Sequence, residues 1–171
     1  MKIDLSSVIK VTGAEVKFDD TVGFGNAEFL GESYVFDAPL AVVGRIYNNG
    51  QSLTLDAHVK GKMKTQCARC LDTIEVDVEY DVYDLLSQRD DRTEADEDII
   101  FFDGHEIELD DIIADNFLLN VSGRNLCSED CLGLCPKCGQ NLNEGECGCT
   151  RDVIDPRWQA LADILNQSDD D

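Results

Sequence analysis

Basic residues are scarce in this 171-residue chain: 14 lysines and arginines stand against 36 aspartates and glutamates, for a net charge of −22. So acidic a surface repels phosphate over most of its area, which argues against a protein that coats nucleic acid by general electrostatics. Histidine occurs only twice, no glycine-rich phosphate loop is present, and no serine sits in a recognisable nucleophile elbow. Nucleotide-binding and Ser–His hydrolytic chemistries therefore lack their usual groups. No apolar run is long enough to span a bilayer, and the opening MKIDLSSVIK has no apolar core of signal-peptide length. A membrane span and a secreted disulfide scaffold are accordingly not expected.

Cysteine, by contrast, is abundant and clustered. Six of the eight fall within the 23 residues from Cys127 to Cys149, CSEDCLGLCPKCGQNLNEGECGC, and the other two form CARC at Cys67 and Cys70. Thiolates one or two residues apart on a short turn point the same way and can converge on one tetrahedral ion. In CPKCG, the proline fixes one φ and the glycine permits a positive one, as such a turn requires. Cys135, Cys138, Cys147 and Cys149 are local enough to close a site at small entropic cost. Cys67 and Cys70 would then join Cys127 and Cys131 across 56 intervening residues. The expectation is two four-cysteine Zn²⁺ sites, the local one the firmer. Four cysteines alone also suit an iron–sulfur cluster, and CxxC and CxC pairs suit a thiol-based redox protein or redox-switched chaperone. Redox-switched holdases place CxC before CxxC, the reverse of the order here. A site closed by four thiolates keeps no open position for a reactive water, so no enzymatic activity is expected of the metal.

Charge is unevenly spread. Residues 1–66 carry net −1, residues 71–122 carry −16, residues 123–151 carry −1, and residues 152–171 carry −5. Against this background HVKGKMKTQCARC stands out, because His58, Lys60, Lys62 and Lys64 alternate and would share one face of a strand, with Arg69 following. A solvated strand face, an edge guarded against pairing, and a phosphate-contacting stripe are all open for Lys60, Lys62, Lys64 and Arg69. Next comes TIEVDVEYDVYDLL, where Ile74, Val76, Val78, Tyr80 and Val82 alternate with Glu75, Asp77, Glu79 and Asp81. One face is core, and the other is a row of carboxylates fit to dock a basic partner or simply to keep the domain soluble.

The fold expected is α+β, with a largely antiparallel first half that is a sheet or barrel-like. An acidic helix, a cysteine-rich zinc module and a short C-terminal helix follow. Residues 1–122 form the β-rich domain with the helix, and residues 123–171 the zinc module with its packed helix. Short strands are expected near Lys2–Leu5 and Glu15. Ser33–Tyr47 should run out, turn at Asn48–Asn49–Gly50 and return through Lys64, with Pro39 marking an edge or bulge. Residues 89–98 read as a charged loop, and IIFFDGHEIEL as a hairpin about Asp103–Gly104 with His105 solvated on its turn. Asp110 is expected to cap a helix to about Val121 with Ile112, Ile113, Phe117 and Leu118 inward. Asp155 and Pro156 start a last helix carrying Trp158, which would pack on the zinc module.

CARCL at 67–71, LCSEDCLGLCPKCGQNLNEGECGC at 126–149 and DPRWQAL at 155–161 together resemble the YceD family, and the likeness spans most of the chain. Members of that family are bacterial and plastid proteins linked to accumulation of large-subunit ribosomal RNA. Before Cys127 this chain reads VSGRN where the family commonly carries Leu-Pro. The resemblance implies a role in large-subunit biogenesis, without established catalysis, in the cytoplasm. A protein acting directly on ribosomal RNA should show a dominant basic face, which the balance of −22 denies. The expected partner is therefore a basic ribosomal protein or a pre-ribosomal large-subunit particle, with direct contact to ribosomal RNA secondary.

Overall fold

Alternating apolar and polar residues become nine strands, and one helix follows them, in the computed structural model, which describes residues 1–29, 31–89 and 99–149. In chain order they are β1 (Lys2–Asp4), β2 (Glu15–Val22), β3 (Asn26–Phe29), β4 (Glu32–Val35), β5 (Leu40–Asn48), β6 (Leu53–Gln66), β7 (Thr73–Gln88), β8 (Ile99–Phe102), β9 (Glu106–Glu108) and α1 (Asp110–Asn120). The expected C-terminal helix from Asp155 with Trp158, and nearly all of the 89–98 loop, lie outside the described residues.

β5 and β6 form the expected hairpin, with Leu53 facing Asn48 and Lys60 facing Ala41. Its turn is built by asparagine side chains: Asn49 Oδ1 accepts from the Gln51 and Ser52 N–H groups at 2.9 Å each, and Gly50 takes a φ of 93°. Pro39 does split the outgoing strand. Val35 faces Lys64 and Ala41 faces Lys60, so the outgoing chain spends two more residues than β6 over the same stretch. β6 then pairs antiparallel with β7 along its entire length, from Leu53 opposite Leu86 to Gln66 opposite Thr73. The path β2-β5-β6-β4-β3, with β7 on the far side of β6, does not close. The sheet is open, not a barrel.

One face of this sheet is the core. Val42 and Ile46 of β5, Leu55 and Val59 of β6, and Val78 and Val82 of β7 are buried on it, as period two dictates. α1 closes the face with Ile113 and Phe117. The Phe117 ring sits 5.4 Å from Phe36, edge-on, and 5.6 Å from Tyr34, with Phe24 and Tyr80 at 6.1 and 6.4 Å. Two polar contacts fix the helix to β7: Tyr80 donates to the Ile113 carbonyl at 3.0 Å, and Asn116 to Asp84 at 2.8 Å.

Two local expectations are corrected. IIFFDGHEIEL is not a hairpin: β8 joins β7 in parallel, Leu85 facing Ile99, while β9 leaves for a separate two-stranded sheet with β1. The Asp-Gly turn, with Gly104 at φ 72°, passes the chain from one sheet to the other. Nor does Asp110 cap the helix. Leu109 is the N-cap residue, with no side-chain cap, and Asp110 stands in the first turn, where its carboxylate meets the Met1 amine at 2.6 Å. Carboxylates there are favoured by the helix dipole without accepting a capping bond.

A glycine inside a strand normally weakens it, yet Gly44 is needed in β5. A Cβ at Gly44 would lie 2.6 Å from Ala57 Cβ and 2.7 Å from the Asp56 carbonyl, both fixed by the ladder. Gly44→Ala is expected to cost about 1–3 kcal/mol through overpacking. Urea titration should show a lower midpoint at an unchanged slope.

Candidate metal centres

The β6–β7 hairpin is closed by CARC rather than by an ordinary turn. The Leu71 N–H donates to the Cys67 carbonyl at 2.9 Å and the Cys67 N–H to the Asp72 carbonyl at 2.8 Å. CPKCG repeats that pattern: Gly139 N–H to the Cys135 carbonyl at 2.9 Å, Cys135 N–H to the Gln140 carbonyl at 2.8 Å. Both knuckles need a positive φ after their second cysteine. Gly139 supplies 75° freely, whereas Leu71 adopts 63° against a steric cost of about 1–2 kcal/mol.

All eight cysteines gather as two quartets. Sulfurs of Cys67, Cys70, Cys127 and Cys131 lie within 4.8 Å of one another, as do those of Cys135, Cys138, Cys147 and Cys149. Cys67 and Cys131 are 3.9 Å apart and Cys70 and Cys127 3.6 Å. Four thiolates at ~2.3 Å around a tetrahedral ion stand about 3.8 Å apart, so the first quartet fits zinc and is far too open for disulfides at ~2.05 Å. Bound there, zinc would be held by four thiolates and serve structure, tying the tip of the β6–β7 hairpin to the chain beyond α1.

Electrostatics of the thiols agree between the knuckles. The N–H groups of Cys70 and Arg69 turned onto its sulfur pull Cys67 down to about 6, and those of Cys138 and Lys137 do the same for Cys135. Crowding by Cys138 and Cys147 pushes Cys149 up to about 12. A divalent cation is the natural counter-charge for such a quartet.

Two side chains brace the first quartet, one from within it and one from the loop of the second. Arg69 Nη1, the candidate phosphate contact, donates to the carbonyls of Glu129 and Cys131 at 3.0 and 2.9 Å and so braces the Cys127–Cys131 loop. Asn143 lies between the two ligand pairs of the second quartet, yet donates to Cys131 Sγ of the first at 3.4 Å and accepts the Leu132 N–H at 2.8 Å. Its bond is the leading cause of the lowered Cys131 thiol. Nothing in the sequence singles out Asn143, since a bond between sulfur and a distant amide leaves no local pattern.

The remaining candidates share one place, the outer face of the sheet. Lys60 stands opposite Glu79, Lys62 opposite Asp77, Lys64 opposite Glu75 and His58 opposite Asp81. Lys62 reaches Glu75 and Lys64 reaches Asp37, both at 2.5 Å, while Lys60 is 3.8 Å from Glu79. His58 bridges Asp81 at 2.8 Å and Glu79 at 3.2 Å. The lysine stripe and the acid row are thus two sides of a single cross-strand ladder. Each exposed pair is worth little alone, but the ladder leaves Lys60, Lys62 and Lys64 facing carboxylates. His105, the other histidine, is exposed in the turn before β9, as expected.

Fold and site together define a mixed, mainly antiparallel sheet protein whose long hairpin is capped by the first of two linked four-cysteine knuckle sites. The chain belongs to the YceD family: residues 55–165 match the model described as "Large ribosomal RNA subunit accumulation protein YceD". Uncharacterised proteins of Mycobacterium tuberculosis (strain ATCC 25618 / H37Rv) and Mycobacterium bovis are each 30% identical over 99% of this chain and 84% of their own length. A chloroplastic protein of Arabidopsis thaliana, named "Large ribosomal RNA subunit accumulation protein YCED homolog 1", is 34% identical over 36% of this chain and 19% of its own. No solved structure matches. Among the described residues no helix is long and apolar enough to cross a membrane.

Three measurements follow. Metal analysis of protein purified without chelator should give two zinc ions per chain. Asn143→Ala should then lose zinc from the Cys67/Cys70/Cys127/Cys131 quartet roughly tenfold more readily or worse, read by chelator competition and by Co²⁺ spectra. Equal retention would assign Asn143 a purely local role. Separately, Asp81 on Nδ1, helped by Glu79, holds His58 above its ordinary 6.5. Its contribution is full below the ordinary histidine value and disappears as pH rises through the raised one. An NMR titration should place the His58 midpoint above 6.5, falling toward it in Asp81→Asn.

Proposed function

We propose that this protein is a non-enzymatic cytoplasmic factor in large-subunit biogenesis. It supports accumulation or processing of large-subunit ribosomal RNA by docking a basic ribosomal protein or a pre-ribosomal particle. Both cysteine quartets hold structural zinc. Residues 1–122 present the docking surface, and residues 123–171 form the zinc module that braces it. One observation carries the docking half of this reading: the lysine stripe is taken up by carboxylates. Glu75, Asp77, Glu79, Asp81 and Asp37 outnumber Lys60, Lys62 and Lys64 in the ladder, so the face attracts cations and opposes phosphate.

Capture by the full-length protein, with and without ribonuclease, tests it. The expected result is retention of purified basic ribosomal proteins at low salt, loss as salt rises, and weaker retention when Glu75, Asp77, Glu79 and Asp81 are replaced by Gln or Asn. If capture is ribonuclease-sensitive and depends instead on Lys60, Lys62 and Lys64, the protein contacts RNA directly and the docking reading is wrong.

A further inference from the structure

β7 is sixteen residues long, but β8 covers only Leu85–Gln88. From Thr73 to Asp84 the side of β7 turned away from β6 faces no strand among the described residues. Five consecutive residues of that stretch, Val76 to Tyr80, line a cleft of about 160 Å³. Side chains of a strand alternate between faces, so five in a row can line one cleft only when the strand's edge, backbone included, forms the wall. The opposite wall is the end of α1 and the chain leaving it, through Phe117, Asn120 and Val121. A strand edge facing a helix is the geometry in which an extended peptide adds as a further strand.

The chemistry of the cleft narrows its occupant. Its inner side is apolar, with Met63, Val78, Tyr80 and Phe117 all buried. Its rim carries Asp77 and Glu79, both exposed; on the outer face His58 and Lys60 share Glu79 and Lys62 stands opposite Asp77, but no basic side chain of the described residues lines the cleft itself. The C-terminal end of α1 adds the partial negative charge of its last carbonyls, with no basic residue in the last turn to offset it. Phosphate is disfavoured at such a place and a cation is favoured.

We propose that this groove receives an extended cationic segment of a partner protein as an added strand on β7. In that segment lysine or arginine alternates with apolar residues: one set meets Asp77 and Glu79, and the other enters the cleft. The proposal rests on the docking reading above and adds the place and mode of attachment.

The probe is an alternating lysine–valine octapeptide added to the full-length zinc-loaded protein. It is expected to slow amide exchange at Val76–Tyr80 and around Asn120–Asn125. N-methylating alternate peptide amides in one of the two phases should abolish this protection, because an added strand bonds through one phase only. Asn120→Lys, at an exposed position, should weaken peptide binding about tenfold through like-charge repulsion while circular dichroism stays unchanged. Protection on the β2 edge instead, indifference to both N-methyl phases, equal protection by polyuridine, or full affinity in Asn120→Lys would each overturn the proposal. If Asn120→Lys still captures basic ribosomal proteins as the wild type does, docking stands and the groove is not its site. If the wild type captures none, the docking reading has failed and this one with it.

Discussion

The clasp of Cys67 and Cys70 against Cys127 and Cys131 is the constraint on which the rest of the architecture leans. β6 pairs with β7 along its full length, and the turn that reverses the chain between them is itself the first knuckle. Its partners come after α1, so the segment that leaves the helix is pinned to the tip of the hairpin. Backbone bonds reinforce the pin: Ala68 N–H donates to the Asn125 carbonyl at 2.8 Å and Leu134 N–H to the Arg69 carbonyl at 3.1 Å. The end of α1 is thereby held beside β7, which is what opens a cleft between helix and strand edge instead of a packed seam. Loss of an ion here would release more than its own ligands, because metal binding and local folding are one equilibrium in such knuckles.

What could be read in the sequence was whatever is periodic or local. The alternation in TIEVDVEYDVYDLL sets which side of β7 is buried, and Val78, Tyr80 and Val82 take it. CxxC spacing and the glycine of CPKCG specify the knuckle turns. The long-range cysteine quartet was legible because each of its pairs carries ligand spacing; strand pairings chosen by distant partners were not. Ile99–Phe102 and Glu106–Glu108 flank a good turn and look like a hairpin, but each finds a better neighbour, β7 for one and β1 for the other. Leu109 precedes α1 with φ −93° and ψ −10°, already near helical, so the carboxylate after it has no capping role to fill. The two rows of charge were each visible as stripes; that they oppose one another depends on the register of β6 with β7, which neither stripe encodes.

That register changes the meaning of the composition. A chain with an excess of acid and a short run of lysines suggests two surfaces of opposite sign. Cross-strand pairing merges them, and the lysines serve to let carboxylates stand at every second position of β7 without repelling one another across the face. The residual excess is then directed outward and along the free edge of β7, where no lysine lies. On the docking proposal, this is how an acidic protein would approach a ribonucleoprotein through its basic polypeptides while being held off its phosphate backbone.

The two quartets should not be equivalent in how they form. Eight residues separate Cys138 from Cys147, whereas 56 separate Cys70 from Cys127. Loop closure in the unfolded chain therefore favours the local quartet by about 2 kcal/mol. Once closed, the local quartet fixes the loop that carries Asn143 and Asn141, which reach Cys131 Sγ and the Asp72 carboxylate. Both contacts land on the long-range quartet or beside its knuckle. The easily formed site thus prepares the costly one, delivering an amide donor to one of its thiolates and a second anchor to its turn. On this loop-length argument the local quartet is expected to close first, and the long-range quartet once β6, β7 and α1 are in place.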